Sequence, residues 1–189
     1  MLLLAMAWVV FYGVHSALAA NGVKRRVAEW IRLRPGRPYR LFYNSVSLLL
    51  FGGLLIQHGA TPSDPLFKTG TGITIAGVLL TVCGLLLALL ALRSYNGAAF
   101  LGLQEENNRH LNTSGLNAYM RHPLYTATLL LMLGFCLLQP AGKNWMALAL
   151  TMGYLLIGMH MEEQKLVETF GDAYILYQQK VKKLIPYIF

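Results

Sequence analysis

Residues 121–139, RHPLYTATLLLMLGFCLLQ, decide the fold of this chain. Pro123 favours the first turn of a helix, and the apolar run after it is matched by a second apolar run over residues 144–160. The second run leads into two adjacent carboxylates, Glu162 and Glu163. If the two runs are membrane helices joined by a tight turn, the polar residues before Pro123 and after the second run return to the same membrane face. A site for a polar ligand beside lipid is therefore expected at that face.

The composition places the chain among integral membrane proteins. Of its 189 residues, 56% are hydrophobic and only 13% are charged, which lies outside the range of ordinary soluble domains. A helix needs roughly 20 mostly apolar residues to cross a bilayer, and five stretches are candidates: residues 2–20, 41–57, 72–92, 124–139 and 145–159. We predict an all-α bundle of about five transmembrane helices, forming one membrane domain over residues 1–189, with a cytoplasmic C-terminal amphipathic helix.

The net charge of +8 is unevenly distributed along the chain. Fourteen of the 16 Lys and Arg residues fall on one side of the predicted spans, and only Lys68 and Lys143 fall on the other. The positive-inside rule then places the N-terminus outside and the C-terminus in the cytoplasm. We expect the basic loop between the first two spans to meet anionic lipid headgroups, and we expect no nucleic-acid partner.

A few residues inside the apolar runs stand out by their type. His15 lies near the inner end of the first span, where an ionisable residue indicates a functional site by default; the alternative is a neutral histidine bonded to a neighbouring helix. Cys83 and Cys136 have no metal-ligand or disulfide spacing around them and are expected to be buried small hydrophobic residues. Gly77 and Gly84 are seven residues apart, so they share one helix face and favour close helix packing.

The longest polar interval, residues 93–120, is too long for a minimal connection between two helices. We predict that it is either a mobile loop or part of a lid over the site. Near its end, Thr113 or Ser114 can cap a short helix that runs to Met120.

Charged and apolar residues alternate at helical spacing over residues 161–177, which predicts an amphipathic helix at the membrane surface. Gly171 predicts a helix end inside this stretch, with Asp172 capping the next helix. We expect the lysines that follow to approach the lipid headgroups: Lys180, Lys182 and Lys183.

The polar residues at the two helix ends have complementary chemistry. Arg121 can hold a carboxylate with two hydrogen bonds, His122 can donate to a heteroatom, and Tyr125 offers a ring face and a hydroxyl. Because Glu162 and Glu163 are adjacent, they point to different sides of a helix, where one can bind ribose hydroxyls and the other can pair with Arg121 or a cation. The alternative is an Arg–Glu ion pair that ties the helix ends together. The sequence contains no metal-ligand cluster of adequate spacing and no glycine-rich nucleotide loop.

Several motifs occur in the order that is typical of a known superfamily. They are LNTSGL at 111–116, RHPLY at 121–125, the Glu162–Glu163 pair, FGDAY at 170–174 with Tyr177, and Pro186. Over this part of the chain, the sequence resembles the isoprenylcysteine carboxyl methyltransferase and phospholipid methyltransferase superfamily, membrane enzymes that use S-adenosylmethionine. The N-terminal part, with His15, the basic loop and YRLFYN at 39–44, is similar to the compact bacterial branch that includes methanethiol S-methyltransferases and NnrU-type membrane proteins.

The resemblance implies a set of site residues. The implied catalytic residues are His122, Tyr125 and Arg121. The implied cofactor-binding residues are Leu111, Gly115, His122, Tyr125, Glu162, Glu163 and Tyr174. The chain departs from the family pattern at Ala127, where glycine is usual, and at Arg109, where the prenylcysteine enzymes tend to have histidine.

The function that the resemblance implies is S-adenosylmethionine-dependent methyl transfer to a small thiol or a lipid-borne acceptor, in a bacterial inner membrane. The departure at Arg109 and the compact length favour a small thiol. Two other interpretations stay open: a non-catalytic membrane protein of the NnrU type, and an NADPH-dependent membrane reductase related to sterol reductases, although the extra helices of those reductases are missing. The sequence does not indicate an oligomeric state.

Overall fold

The fold is helical throughout the part of the chain that the structure describes. This computed structural model describes residues 1–33, 36–94 and 111–189, and in them the only β-type pairings are isolated bridges. The α-helices are α1 (Leu2–Ala19), α2 (Asn21–Trp30), α3 (Arg37–Ala60), α4 (Thr71–Ser94), α5 (Pro123–Leu138), α6 (Gly142–Phe170) and α7 (Asp172–Lys180), and a 3-10 helix spans Gly115–Ala118. The all-α prediction is confirmed for these residues.

Among the described residues, three helices, α1, α3 and α4, are long and apolar enough to cross a membrane. Helix α5 is apolar but has only 16 residues, and α6 runs for 29 residues without a break. The predicted span 145–159 and the first part of the predicted surface helix 161–177 thus form one helix, because no proline removes a backbone hydrogen bond between them. The count of five spans stays a prediction.

Helix α6 ends at Phe170, and Gly171 is its C-cap, so the predicted helix end is confirmed. Gly171 has a φ of +56°, in the left-handed region that glycine adopts without a steric penalty. The prediction that Asp172 caps the next helix is wrong, because Gly171 occupies the N-cap position and no side-chain cap bond forms. Asp172 is the first residue of α7, where its carboxylate still lies favourably near the positive end of the helix.

The described residues fall in two compact units, within residues 1–64 and 65–189. In the first unit, α1 packs against α2 and α3. His15 on α1 is hydrogen-bonded to α3, with its Nε2 2.8 Å from the Tyr43 hydroxyl and its Nδ1 3.1 Å from the Ser47 Oγ. This arrangement agrees with a histidine bonded to a neighbouring helix, and a function for His15 stays a prediction.

In the second unit, α4 packs against α5 in antiparallel orientation with almost no space between the backbones. A Cβ on Gly77 would lie 3.1 Å from the carbonyl oxygen of Gly134, and a Cβ on Gly84 would lie 3.1 Å from that of Ala127. A Cβ on Gly134 would approach the backbone nitrogen of Thr81 to 2.7 Å. The two glycines of α4 therefore share the packed face, as predicted, and α5 matches them with small residues of its own.

Helix α4 and the segment after it bear on two further predictions. Cys136 is buried as expected, but Cys83 is exposed, because it lies outside the face that Thr81 and Gly84 turn towards α5. Most of the predicted lid, with Arg109, lies in residues 95–110, which are outside the described residues.

The short helix before α5 differs from the prediction. Ser114 occupies the N-cap position of the 3-10 helix but makes no cap bond, because its hydroxyl donates to Oδ1 of Asn112 at 3.0 Å instead. Local side-chain bonds of this kind compete with capping. The helix also stops at Ala118, before Met120.

Candidate functional site

Several segments of the second unit converge on one polar cluster. Because α5 and α6 are joined by a short turn, the residues before α5 and the charged end of α6 lie at the same end of the helix pair, as predicted. The C-terminal segment, residues 181–189, runs beside them. The backbone amide of Arg121 donates to the carbonyl of Lys182 at 2.9 Å. The amide of His122 donates to the carbonyl of Lys183 at 3.0 Å, so the C-terminal segment is held against the start of α5.

Glu163 lies at the centre of this cluster, with only 8% of its side chain exposed. Its Oε1 accepts a hydrogen bond from Nε of Arg121 at 2.7 Å and lies 2.7 Å from Nη2 of the same guanidinium. Nε2 of His122 is 3.2 Å from the same oxygen. On the other oxygen, Oε2 lies 3.3 Å from Nζ of Lys183. Groups of this chain therefore occupy both oxygens of the carboxylate, and we call this arrangement the Glu163 cage.

The cage keeps Glu163 ionised. Burial raises the pKa of this carboxyl group, but the hydrogen bond and charge of Arg121, with contributions from His122 and Lys183, outweigh burial and hold the pKa below its ordinary value of 4.5. An ionised carboxylate only accepts hydrogen bonds, so Nε2 of His122 carries the proton in the bond between them. The cage therefore also selects the tautomer of a neutral His122.

The guanidinium of Arg121 binds several groups of the protein itself. Besides Glu163, its Nη1 donates to the carbonyl of Gln178 at 3.1 Å and to the carbonyl of Val181. The guanidinium thus ties the end of α6 to the end of α7 and to the C-terminal segment. The ion pair between helix ends, our alternative interpretation of these motifs, is present, and it accounts for one of the two adjacent carboxylates.

Glu162 faces a different set of groups, and 46% of its side chain is exposed. Its Oε2 accepts a hydrogen bond from the hydroxyl of Tyr125 at 2.8 Å. The ring of Tyr125 stacks on that of His122, with 5.3 Å between centroids and 5° between planes. Nδ1 of His122 lies 3.7 Å from the same Glu162 oxygen. The two carboxylates share His122, but otherwise they have different partners: Tyr125 for Glu162, and Arg121 with Lys183 for Glu163. Glu162 is the more exposed of the two and therefore the one that a ligand can reach.

Tyr174 on α7 contributes a buried hydroxyl near the same charges. The residue is 1% exposed, and its hydroxyl has no hydrogen-bond partner among the residues that the structure describes. Burial raises the pKa of this phenol, and the negative charge of Glu163 raises it further. The hydroxyl is therefore a donor at neutral pH. A buried polar group without a partner costs about 1–3 kcal/mol, so a bound molecule that accepts this hydrogen bond would gain affinity from it.

The segment that contains Leu111 and Gly115 is tied to α7. The hydroxyl of Tyr177 donates to the carbonyl of Asn117 at 2.5 Å. Nδ2 of Asn117 donates in turn to the carbonyl of Asn112 at 3.2 Å. Gly115 has a φ of +60°, which explains a glycine at this turn. The hydrogen bonds therefore hold this segment beside α7 through Asn117 and Tyr177, whereas the other implied site residues lie in or next to the cluster itself.

Sequence reasoning missed the role of the C-terminal segment. Nζ of Lys183 pairs with Glu163, and 33% of its side chain is exposed, whereas its approach to lipid headgroups stays a prediction. Thr126 also donates to the carbonyl of Leu184 at 3.0 Å, across a sequence separation of 58 residues. No signal in the sequence joins these two segments, because the contact depends on how α5, α6 and α7 pack.

Three curated relatives cover almost the whole chain. Methanethiol S-methyltransferase 1 of Bradyrhizobium diazoefficiens is 27% identical over 98% of this chain and 66% of its own length. Methanethiol S-methyltransferase 2 of the same organism is 30% identical over 93% of this chain and 69% of its own length. The methanethiol S-methyltransferase of a Pseudomonas strain is 28% identical over 94% of this chain and 70% of its own length. The chain thus spans slightly less than two thirds of the first relative and slightly more of the other two.

The family comparison covers the part of the cluster that comes before Tyr174 and the C-terminal segment. The family model for phospholipid methyltransferases matches residues 73–173, a range that includes most of α4, all of α5 and α6, and both adjacent carboxylates. No solved structure matches the chain significantly. More than half of the sequence matches the family model, and the chain belongs to the phospholipid methyltransferase family.

Proposed function

We propose that this protein is an S-adenosylmethionine-dependent membrane methyltransferase whose acceptor is a small thiol. The observation that carries the proposal is the difference between the adjacent carboxylates. Glu163 is buried and fully paired, whereas Glu162 is half exposed beside Tyr125 and the imidazole of His122. A purely structural ion-pair network needs only the first carboxylate. Family membership and the names of the three relatives point to the same class of reaction.

The polar groups of the cluster fit S-adenosylmethionine. This cofactor has a ribose diol, a cationic amino group and a carboxylate, and it supplies an electrophilic methyl group when bound. Glu162 accepts hydrogen bonds from a diol or an ammonium group, and Tyr174 has a buried donor without a partner among the described residues. We assign cofactor binding to Glu162, Tyr125 and Tyr174, with Leu111 and Gly115 contributing from the adjacent segment. In the described residues, no group of metal-ligating side chains competes with this assignment.

The residues of the chain then have two tasks in methyl transfer. The first is alignment, because an in-line displacement disperses charge and depends mainly on orientation and exclusion of water. The rings of His122 and Tyr125, stacked on each other, form a rigid wall for this purpose. The second is removal of a proton, since a thiol is mostly protonated at neutral pH. Only 4% of the His122 side chain is exposed, and its Nδ1 lies on the ring side away from Glu163, 3.7 Å from the half-exposed Glu162. We assign to this nitrogen of a neutral His122 the role of accepting the proton of the acceptor thiol beside Glu162.

The proposal is tested by a paired assay on the purified protein in lipid. Volatile thioether formed from a short alkyl thiol is measured by gas chromatography, and methyl ester formed on a prenylcysteine analogue is measured in parallel. We expect thioether, and we expect His122→Ala or Tyr125→Ala to abolish it. Ester without thioether would overturn the acceptor and keep the methyltransferase.

Calorimetry separates the other classes of function. We expect the protein to bind S-adenosylhomocysteine and not NADPH. Binding of NADPH alone would support a membrane reductase. Absence of both products and of cofactor binding would leave the non-catalytic interpretation.

We also propose the five-span topology, with the N-terminus outside, the C-terminus in the cytoplasm and a bacterial inner membrane as its location. The distribution of Lys and Arg supports it. An impermeant amine reagent applied from outside should label Lys68 and leave Lys182 unlabelled. Equal labelling of both lysines would contradict this topology.

A further inference from the structure

We propose that Lys183, in the C-terminal segment, is a positioning residue that acts on His122 through Glu163. The inference deepens the proposed function and rests on it, because it concerns how the imidazole to which that function assigns the proton transfer is held. It also moves Glu163 from the cofactor-binding residues to the residues that support them.

The contacts of Glu163 form a chain from the C-terminal segment to the imidazole. Lys183 holds Oε2 at 3.3 Å, and His122 meets Oε1 at 3.2 Å. A carboxylate with one oxygen on an ammonium group and the other on an imidazole N–H has little freedom to rotate. Since Glu163 can only accept, Nε2 of His122 is the donor, and a neutral ring therefore keeps Nδ1 as the acceptor atom. Lys183 thereby helps to determine which ring nitrogen is available to a substrate.

The backbone of the C-terminal segment is held independently of the Lys183 side chain. The carbonyls of Lys182 and Lys183 accept the amides before α5, and Thr126 donates to the carbonyl of Leu184. At the end of the segment, the amides of Leu184 and Ile185 both donate to the carbonyl of Phe189 at 2.7 Å. A change of the Lys183 side chain leaves these main-chain bonds in place. The ammonium group can therefore be removed while the segment stays where it is.

Several charged and titratable groups surround Glu163, and each of them contributes to the pH dependence of this site. They are Arg121 and His122 before α5, Glu162 on α6, Tyr174 on α7, and Lys183. Of these, Lys183 is the partly exposed cation, so its removal changes the field at Glu163 without leaving a buried charge unpaired. Arg121 stays in place and keeps the fold intact.

The experiment compares three variants: Lys183→Met, Lys183→Arg and, as the matched control, Lys182→Met. Lys182 is exposed, and its replacement removes the same charge from the same segment. We expect Lys183→Met to lower kcat about threefold, with KM unchanged for both substrates. We expect the acid limb of the pH–rate profile to move up by about half a pH unit, because the positive charge that opposes protonation of the coupled His122 and Glu163 groups is gone. Lys183→Arg should restore both properties, and Lys182→Met should leave them unchanged.

A spectroscopic measurement tests the inference without any turnover. Protein labelled with 15N-histidine, with the His122 signals assigned from a His122→Gln sample, should show a protonated Nε2 and an unprotonated Nδ1 at neutral pH. Lys183→Met should reduce the population of this tautomer, and Lys182→Met should not.

Three results would overturn the role of Lys183. They are a wild-type His122 protonated on Nδ1 alone, equal effects of the two Met variants, or a rise in KM for the cofactor with kcat unchanged. The first result is independent of methyl transfer, so it is distinguishable from a failure of the proposed function. If the protein makes no thioether but the tautomer depends on Lys183, the function is wrong and the positioning is right.

Discussion

Helix α5 is held by two kinds of contact along its length, and they tolerate different changes. Along its apolar part, Gly134 and Ala127 pack against glycines of α4 so closely that backbone atoms nearly touch. At its start, Arg121 and His122 belong to the Glu163 cage, where charge-assisted hydrogen bonds to Glu163 fix the start of the helix. The contact with α4 has no room for added volume, and the contact with Glu163 depends on the balance of charge. Substitutions that change only volume or only charge therefore distinguish the two contacts.

The largest loss of stability is expected from Arg121→Met. Both Arg121 and Glu163 are buried, and removal of one partner of a buried ion pair costs about 3–5 kcal/mol, because the other charge stays buried without its main partner. Replacing both partners, as in Arg121→Met with Glu163→Leu, should recover most of this loss. The free energy of unfolding is measured by denaturant titration in mixed micelles. A loss below about 1 kcal/mol in the single variant would show that the cage does not hold α5.

A smaller loss is expected from Gly134→Ala, which adds volume and changes no charge. The new Cβ would lie 2.7 Å from the Thr81 nitrogen and 2.8 Å from the Gly77 carbonyl oxygen, so the two helices have to move apart. Overpacking of this kind costs about 1–3 kcal/mol. The matched control is Gly153→Ala on α6, where a Cβ meets no atom within 4 Å. It should be neutral or stabilise the helix by up to about 1 kcal/mol, and similar behaviour of both variants would contradict the packing argument.

Glu162→Gln should change binding more than stability. If Glu162 accepts hydrogen bonds from the cofactor, the substitution weakens S-adenosylhomocysteine binding by about 1–2 kcal/mol, measured by calorimetry. Stability should change by less than about 0.5 kcal/mol, as is usual for exposed positions. Glu168→Gln, which removes an exposed carboxylate further along the same helix, is the control and should leave binding unchanged. Unchanged binding in both variants would make the whole cluster structural.

The smallest effect is a pH dependence of stability that comes from Glu163. Its pKa in the folded protein lies below the ordinary value of 4.5, so its contribution is fully present above that value and is lost as the pH falls through the lower folded pKa. The difference in unfolding free energy between the wild type and Glu163→Gln should be constant above about pH 4.5 and shrink below it. In Arg121→Met the main cause of the lowered pKa is gone and burial, which raises the pKa, dominates, so lowering the pH should protonate Glu163 and recover part of the stability that this variant loses. An unchanged profile in that variant would contradict the assignment.

Much of the helical architecture could be predicted from local sequence. The break at Gly171 and the shared face of Gly77 and Gly84 depend on neighbours within one or two helical turns, and the structure has both. The two predicted helix caps, in contrast, were wrong. Ser114 bonds to Asn112 instead of capping a helix, and Asp172 lies one position past the cap.

The sequence by itself determined which residues are available to the cluster, because two apolar runs with a short turn between them return their polar ends to one place. Only the tertiary structure decided which carboxylate is buried. Glu162 and Glu163 are identical in chemistry and adjacent in sequence, and the 100° turn between neighbouring positions on a helix sends one into the cage and the other to the surface. The tertiary structure also decided that Lys183 belongs to the cluster. Its position depends on main-chain bonds between the start of α5 and the C-terminal segment, and such long-range pairing leaves no periodic pattern in the sequence.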